Sequence, residues 1–199
     1  MNGEEQTSDL REFRVGLDGY LAGPCVRPFV CKGSPLKCRS FIVGFNAATR
    51  LDDPFSSYWS DGAGFDREKF DRDYDKKRPR RGNRPRIEAV AKQIEPCLET
   101  NLYAVPTKKA SQLSEDDRTN PIISYLFRAV RPEVVFVHSN EPIRFFEQNT
   151  GCCGFTSEVK RARWQGHDFW LYGRPGPLYT LPIDGAKACG LKLANYLGY

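Results

Sequence analysis

Four short apolar runs, each closed by polar or turn-forming residues, are separated by stretches with helical spacing. This alternation constrains the fold more than any other feature. The run at 41–45 ends on Gly44-Phe45-Asn46, and Val134-Val135-Phe136-Val137 within 133–138 has no polar face. Uninterrupted apolar runs of this length fit parallel strands covered on both sides. Residues 98–105, closed by Pro106, and 167–172 read as the other two strands. Helices are predicted from Pro85 (Ile87, Val90, Ala91 and Ile94 share a face), from Asn120-Pro121, over 142–148 and over 183–197. In the second of these, Asn120 suits the N-cap, Pro121 the first turn, and Ile122, Ile123, Leu126, Phe127 and Val130 form a buried stripe. The pattern predicts an α/β fold: a three-layer α/β/α sandwich around a central, mainly parallel four-stranded sheet.

The chain has 199 residues, which suits a single domain over 1–199. Residues 50–84 lack a clean period and are rich in Asp, Arg, Gly and aromatics, so a long basic and aromatic loop insertion is expected there. Apolar residues make up 40% of the chain, too many for disorder, and no apolar run is long enough for a membrane span. The polar, acidic start lacks the regions of a signal peptide, so a soluble cytoplasmic protein with no membrane partner is expected. Seven cysteines, an odd number with no C-x2-C pair, argue for buried reduced thiols rather than a disulfide framework or a metal site. The formal net charge of +5 points weakly to a polyanionic partner. Its distribution says more. Lys76, Lys77, Arg78, Arg80, Arg81, Arg84 and Arg86 are close neighbours, a run that either tracks phosphates or forms a solvated loop.

In open α/β sheets, ligands bind beyond the carboxyl ends of the strands. That rule selects residues 46–49, the Pro106 region, 138–140 and 174–179. Asn46 either orients a water and a ligand or is a turn residue bonding its own backbone. Asn101 is a polar residue in an otherwise apolar strand and needs a partner, from the protein or from a ligand. Two prolines and two glycines stiffen Gly173-Arg174-Pro175-Gly176-Pro177-Leu178-Tyr179. A rigid loop with Leu178 and Tyr179 exposed at its tip, beside a cation, suits a duplex wedge. The alternative is an ordinary turn with Leu178 folded into the core. Phe55, Tyr58 and Trp59 cluster after Asn46, and either pack in the core or face a ligand. No Ser-His-Asp or Cys-His constellation, Walker loop or G-x-G-x-x-G is recognisable.

Taken together, Gly44-Phe45-Asn46-Ala47-Ala48-Thr49 and Arg174-Pro175-Gly176-Pro177-Leu178-Tyr179 resemble the two active-site loops of the uracil-DNA glycosylase superfamily. The first is similar to that family's GQDPYH or GINPG motif, with Asn46 at the catalytic Asp or Asn. The second is similar to HPSPLS, matching at Pro175, Pro177 and Leu178. Thr100-Asn101-Leu102 resembles the strand segment whose asparagine reads the base. The likeness spans about residues 41–199. Arg174, Gly176, Phe45 and Ala48 depart from the family pattern.

The resemblance implies a monofunctional DNA glycosylase, monomeric, needing no cofactor or metal, with DNA as its partner. Asn46 would place the attacking water and Arg174 would stabilise the leaving base. Phe45, Ala48, Tyr58, Trp59 and Asn101 would surround the base. Pro175, Pro177, Leu178, Tyr179, Lys76, Lys77, Arg78, Arg80 and Arg81 would hold the DNA. Ala48 stands where classical members carry a bulky Tyr against the base C5 position. The expected substrate is therefore a C5-modified pyrimidine, such as glucosylated hydroxymethylcytosine of phage DNA, which implies an antiviral role. The rival readings are a uracil or mismatch repair glycosylase, a catalytically inactive nucleic-acid-binding module and a nucleoside hydrolase.

Overall fold

The computed structural model describes residues 9–21, 23, 25–77 and 82–198. In chain order the elements are α1 (Leu10–Asp18), β1 (Phe29–Val30), β2 (Ser40–Asn46), β3 (Trp59–Ser60), β4 (Gly64–Phe65), α2 (Arg67–Lys77), α3 (Arg84–Ala91), β5 (Cys97–Tyr103), α4 (Pro121–Val130), β6 (Val134–His138), α5 (Asn140–Thr150), β7 (Lys160–Trp164), β8 (His167–Arg174) and α6 (Ile183–Ala194).

The central sheet has six strands in the order β1-β5-β2-β6-β8-β7. The inner four run parallel and are the four apolar runs of the sequence. The expected four-stranded sheet is corrected by two antiparallel edge strands. β1 has only two residues, and β7 alternates charged with apolar ones, as edge strands do when one side stays in water. Neither leaves an apolar run to read.

Alternation along the strands divides the core. Phe41 and Val43 of β2, with Val135 and Val137 of β6, pack against Phe13, Leu17, Ile123, Leu126, Phe127 and Phe146 from α1, α4 and α5. Ile42, Val134 and Phe136 face the other way, onto Ala89, Val90, Ala186, Cys189 and Leu193 of α3 and α6. Both sheet faces are therefore covered, which is why the runs lack polar positions. The whole expected stripe of α4 is buried. Asn120 does occupy its N-cap position, but its side chain makes no capping bond.

The expected loop insertion is also corrected. Within it lie a 3-10 turn at Phe55–Tyr58, the hairpin of β3 and β4, and the helix α2. Its helix is so rich in Asp, Arg and Lys that only Phe70 is fully buried, so no apolar period announces it. All seven cysteines are free thiols, but only Cys31, Cys38 and Cys189 are buried, and Cys153 is exposed. No helix among the described residues is long and apolar enough to cross a membrane.

Candidate active site

Strand register assembles a polar row where the parallel strands end. Asn101 of β5 pairs with Gly44 of β2, and His138 of β6 pairs with Arg174 of β8. Val43 pairs with Val137, so Gly44 and His138 are also neighbours. Because side chains alternate, this row shares the sheet face of Ile42 and Phe136, the one covered by α3 and α6. Gly44 is the gap in the row. A Cβ there would lie 2.8 Å from Asn101 Oδ1 and 2.8 Å from His138 Nε2. Glycine is thus the residue that lets the two flanking side chains converge.

Above the row is a cavity of about 220 Å³. At about 30 Å³ of liquid volume per water, it has room for a small heterocycle. The strand ends contribute Asn46, Asn101, His138 and the exposed Ala48; β1 and α2 contribute Phe29, Phe70 and Tyr74; Asn83 and Tyr179 form the rim. Asn46 Nδ2 donates to the Thr107 carbonyl at 3.1 Å and to Thr107 Oγ1 at 2.7 Å. With both N–H groups so directed, its Oδ1 remains the group available to a water.

His138 is 5% exposed. Burial pushes its imidazole down to about 4, against a smaller upward pull from Glu99, so the ring is neutral at pH 7. Its Nδ1 lies 3.2 Å from Ser139 Oγ. Ser139 has φ 79° and ψ 151°, a region that is essentially glycine-only and costs about 1–3 kcal/mol for other residues. It is held there by its N–H donating to the Arg174 carbonyl at 3.2 Å. Strain is thus stored next to the histidine that faces the cavity.

The cavity floor is ionic. Glu99 accepts from Arg84 at 2.6 Å through both carboxylate oxygens and from Arg67 at 3.0 Å. Burial pushes the Glu99 carboxyl up, but Arg84 and Arg67 pull it further the other way, down to about 2. Arg84 also holds Glu88 at 3.0 Å, and Arg67 holds Asp71 at 3.0 Å. The same cluster lines a larger, more open depression of about 530 Å³ toward the amino end of β5. The smaller cavity is the site candidate, because it lies at the carboxyl ends of the strands and gathers the uncommitted polar groups.

Of the residues expected at a site, Asn46, Ala48, Asn101 and Tyr179 line this cavity. The others do not. Phe45 points to the opposite sheet face and meets Tyr103 edge-on at 5.4 Å. Tyr58 is core: it lies against Phe65 and Phe70, with its hydroxyl donating to Asp73 at 3.3 Å. Trp59 stacks on Phe13 of α1 at 6.0 Å and donates to Asp61. Leu178 is 0% exposed and packs between α3 and α6, whereas Tyr179 is 57% exposed. The 3-10 turn Leu178–Thr180 rotates the first side chain inward and the second outward. Pro175 and Pro177 are exposed, and Arg174 is half-buried and does not line the cavity. Lys76 and Lys77 are exposed but paired with Asp73 and Asp52. From the same basic run, Arg84 is buried on Glu99, and Arg86 donates to the carbonyls of Leu181 and Gly82. Arg78, Arg80 and Arg81 lie outside the described residues.

Sequence reasoning missed Arg27, just before the edge strand β1, Phe70, Tyr74 and Asn83 of the insertion, and Glu99 of β5, all of which line the cavity. His138 fell within a strand-end region but carried no motif of its own. No protein-family model matches the chain, and no curated protein matches it significantly.

Proposed function

We propose that this protein is a monofunctional DNA glycosylase, built as a three-layer α/β/α sandwich of the uracil-DNA glycosylase type. It acts as a monomer on a C5-modified pyrimidine such as glucosylated hydroxymethylcytosine in phage DNA, as an antiviral activity. One observation carries the reading: Asn46 and Ala48 of one segment and Asn101 of another line one base-sized cavity at the carboxyl ends of parallel strands.

Extruding a base from the stack costs about a few kcal/mol. Tyr179, the exposed tip of the stiff loop, takes the wedge role in place of the buried Leu178. The extruded ring meets the aromatic residues of the cavity, and Asn101 hydrogen-bonds its polar edge. The C1′–N1 bond breaks and its electron pair stays on the departing base. The leaving-group role passes from Arg174 to His138, the polar neighbour of Gly44 that faces the cavity. With the Ser139 hydroxyl donating to Nδ1, the neutral ring carries its proton on Nε2 and donates it as a hydrogen bond to the base oxygen. Asn46 Oδ1 orients the water whose oxygen bonds to C1′. An amide takes up no proton, so the water attacks late on a cationic sugar, and its proton passes to the base anion through solvent.

The test is alkali-labile strand cleavage on duplexes bearing uracil, a thymine mismatch or C5-glucosylated hydroxymethylcytosine. The parent protein is expected to make abasic sites on the glucosylated duplex, and Asn46→Ala to abolish them while retaining DNA binding. Abasic sites on the uracil or mismatch duplex alone would mark a repair enzyme. No abasic sites on any duplex would mark a binding module.

A further inference from the structure

Arg27 is the one guanidinium lining the cavity that no carboxylate holds among the described residues. Its side chain makes a single hydrogen bond there, from Nη1 to the Thr49 carbonyl at 3.3 Å. A guanidinium carries five N–H donors, so most of its donors remain uncommitted. Its plane is propped by Phe70, whose ring centre is 5.7 Å from Cζ, and Phe70 in turn stacks on Tyr74 at 5.9 Å. Burial lowers the Arg27 guanidinium to about 10, yet leaves it charged at pH 7. The bond to Thr49 ties it to the residue that follows Ala48, the small side chain at the cavity mouth.

The neighbouring charges restrict the ligand. Glu99, held by Arg84, brings a negative charge onto the cavity floor beside Arg27, and an anion seated on Arg27 would meet it. A cluster of planar donors beside ring faces instead suits a neutral, hydroxyl-rich group, whose oxygens accept hydrogen bonds and whose C–H face packs on an aromatic. Tyr74 offers a hydroxyl, and Asn83 offers its amide N–H groups, since its Oδ1 already accepts from the Tyr179 N–H at 2.8 Å.

We infer that Arg27, Phe70, Tyr74 and Asn83 form a specificity subsite for a hexose carried on C5 of the extruded base, entered over Ala48. The inference rests on the proposed base-extruding function but concerns recognition, so binding tests it separately from catalysis.

The experiment measures the affinity of the Asn46→Ala protein for four duplexes that differ only at one base: cytosine, 5-hydroxymethylcytosine, 5-carboxylcytosine and glucosylated 5-hydroxymethylcytosine. Hydrogen bonds to a charged group imply a preference of about tenfold or more for the glucosylated duplex over the cytosine duplex. Arg27→Lys keeps the charge but loses the fan of donors, and should reduce the preference to within about twofold. Ala48→Tyr, at an exposed position, should do the same by filling the entrance, and it decides the matter if Arg27→Lys fails to fold. Equal affinity for all four duplexes, a preference for 5-carboxylcytosine, or a glucosyl preference that survives Ala48→Tyr would each overturn the subsite. If the binding preference is present but the parent protein makes no abasic sites, the subsite stands and the glycosylase reading fails. Abasic sites without any preference give the reverse.

Discussion

At the scale of single residues, the site depends on one absent side chain. Gly44 has ordinary strand geometry, so its role is space rather than backbone freedom. The atoms that an added Cβ would meet are the far ends of Asn101 and His138, which can swing away and leave the strand pairing intact. Gly44→Ala is therefore expected to cost about 1 kcal/mol or less in stability. A displacement of about 1 Å at the reacting groups lowers excision by about 100-fold. Thermal melting and single-turnover excision, measured together, check this contrast; equal loss in both would show that Gly44 serves folding alone. His138 gives the second prediction. Its imidazole titrates at about 4 in the native protein and at the usual 6.5 when unfolded. Between those values the unfolded chain binds a proton that the native chain does not. Its contribution is thus complete above 6.5, falls as the pH drops through that window and is gone below 4. The loss is on the order of 3 kcal/mol. Denaturant melts at pH 7 and pH 5 should show about 2 kcal/mol of this loss in the parent and none of it in His138→Gln. Excision should stay level down to about pH 5, because the neutral ring is the working form.

At the scale of elements, a buried ion cluster links the insertion to the sheet. Arg67 opens α2, Arg84 opens α3, and both end on Glu99 in the middle of β5. Removing Arg84 leaves the buried Glu99 carboxylate with Arg67 alone, a charge only partly balanced. Arg84→Met is expected to destabilise by about 3–5 kcal/mol, and pairing it with Glu99→Leu should recover part of that loss, since apolar replacement of a whole pair is often neutral. Urea titrations of the two single variants and the double variant measure the coupling; additive losses would show that the two residues act independently. The same elements mark where the sequence was legible. The parallel strands were readable because burial on both faces demands unbroken apolar runs, and β2 and β6 satisfy that demand. The strand-end rule then brought Asn46 to the site, and a polar residue in an apolar strand brought Asn101. Tyr58 and Trp59 were misplaced because nearness in sequence does not say which way a turn faces; theirs faces α1 and the hairpin. Leu178 took the inward alternative and only Tyr179 stayed exposed, for the same kind of reason. The strand-end rule reached the region of His138 but not its place beside Gly44, which depends on register between strands far apart in the chain, and Arg27, before the two-residue β1, lies next to no apolar run that would mark it.

At the scale of the whole molecule, the formal charge of +5 says less than where charges are left unpaired. The described cations of the insertion are largely committed: Lys69 to Asp53 and Asp73, Lys76 to Asp73, Lys77 to Asp52, and Arg67 and Arg84 to Glu99. Such pairs bring few counterions to release when DNA arrives. Arg174 differs. It ends β8 beside His138, precedes the exposed Pro175, and its guanidinium forms no hydrogen bond or ion pair among the described residues. A phosphate flanking an extruded nucleotide is the natural partner for a cation at that place. Each phosphate neutralised steepens the fall of log affinity with log salt by about 0.9. Arg174→Ala is thus expected to weaken binding to all duplexes alike, whatever base they carry, and to reduce the salt slope by about one unit. Lys77→Ala, which removes a partner of Asp52, should leave the slope unchanged. Anisotropy titrations over a range of salt concentrations distinguish the two variants. If Arg174→Ala kept the parent slope and instead slowed excision after binding, Arg174 would belong to the chemistry rather than to the grip on the backbone, and His138 would share its role with a cation one strand away.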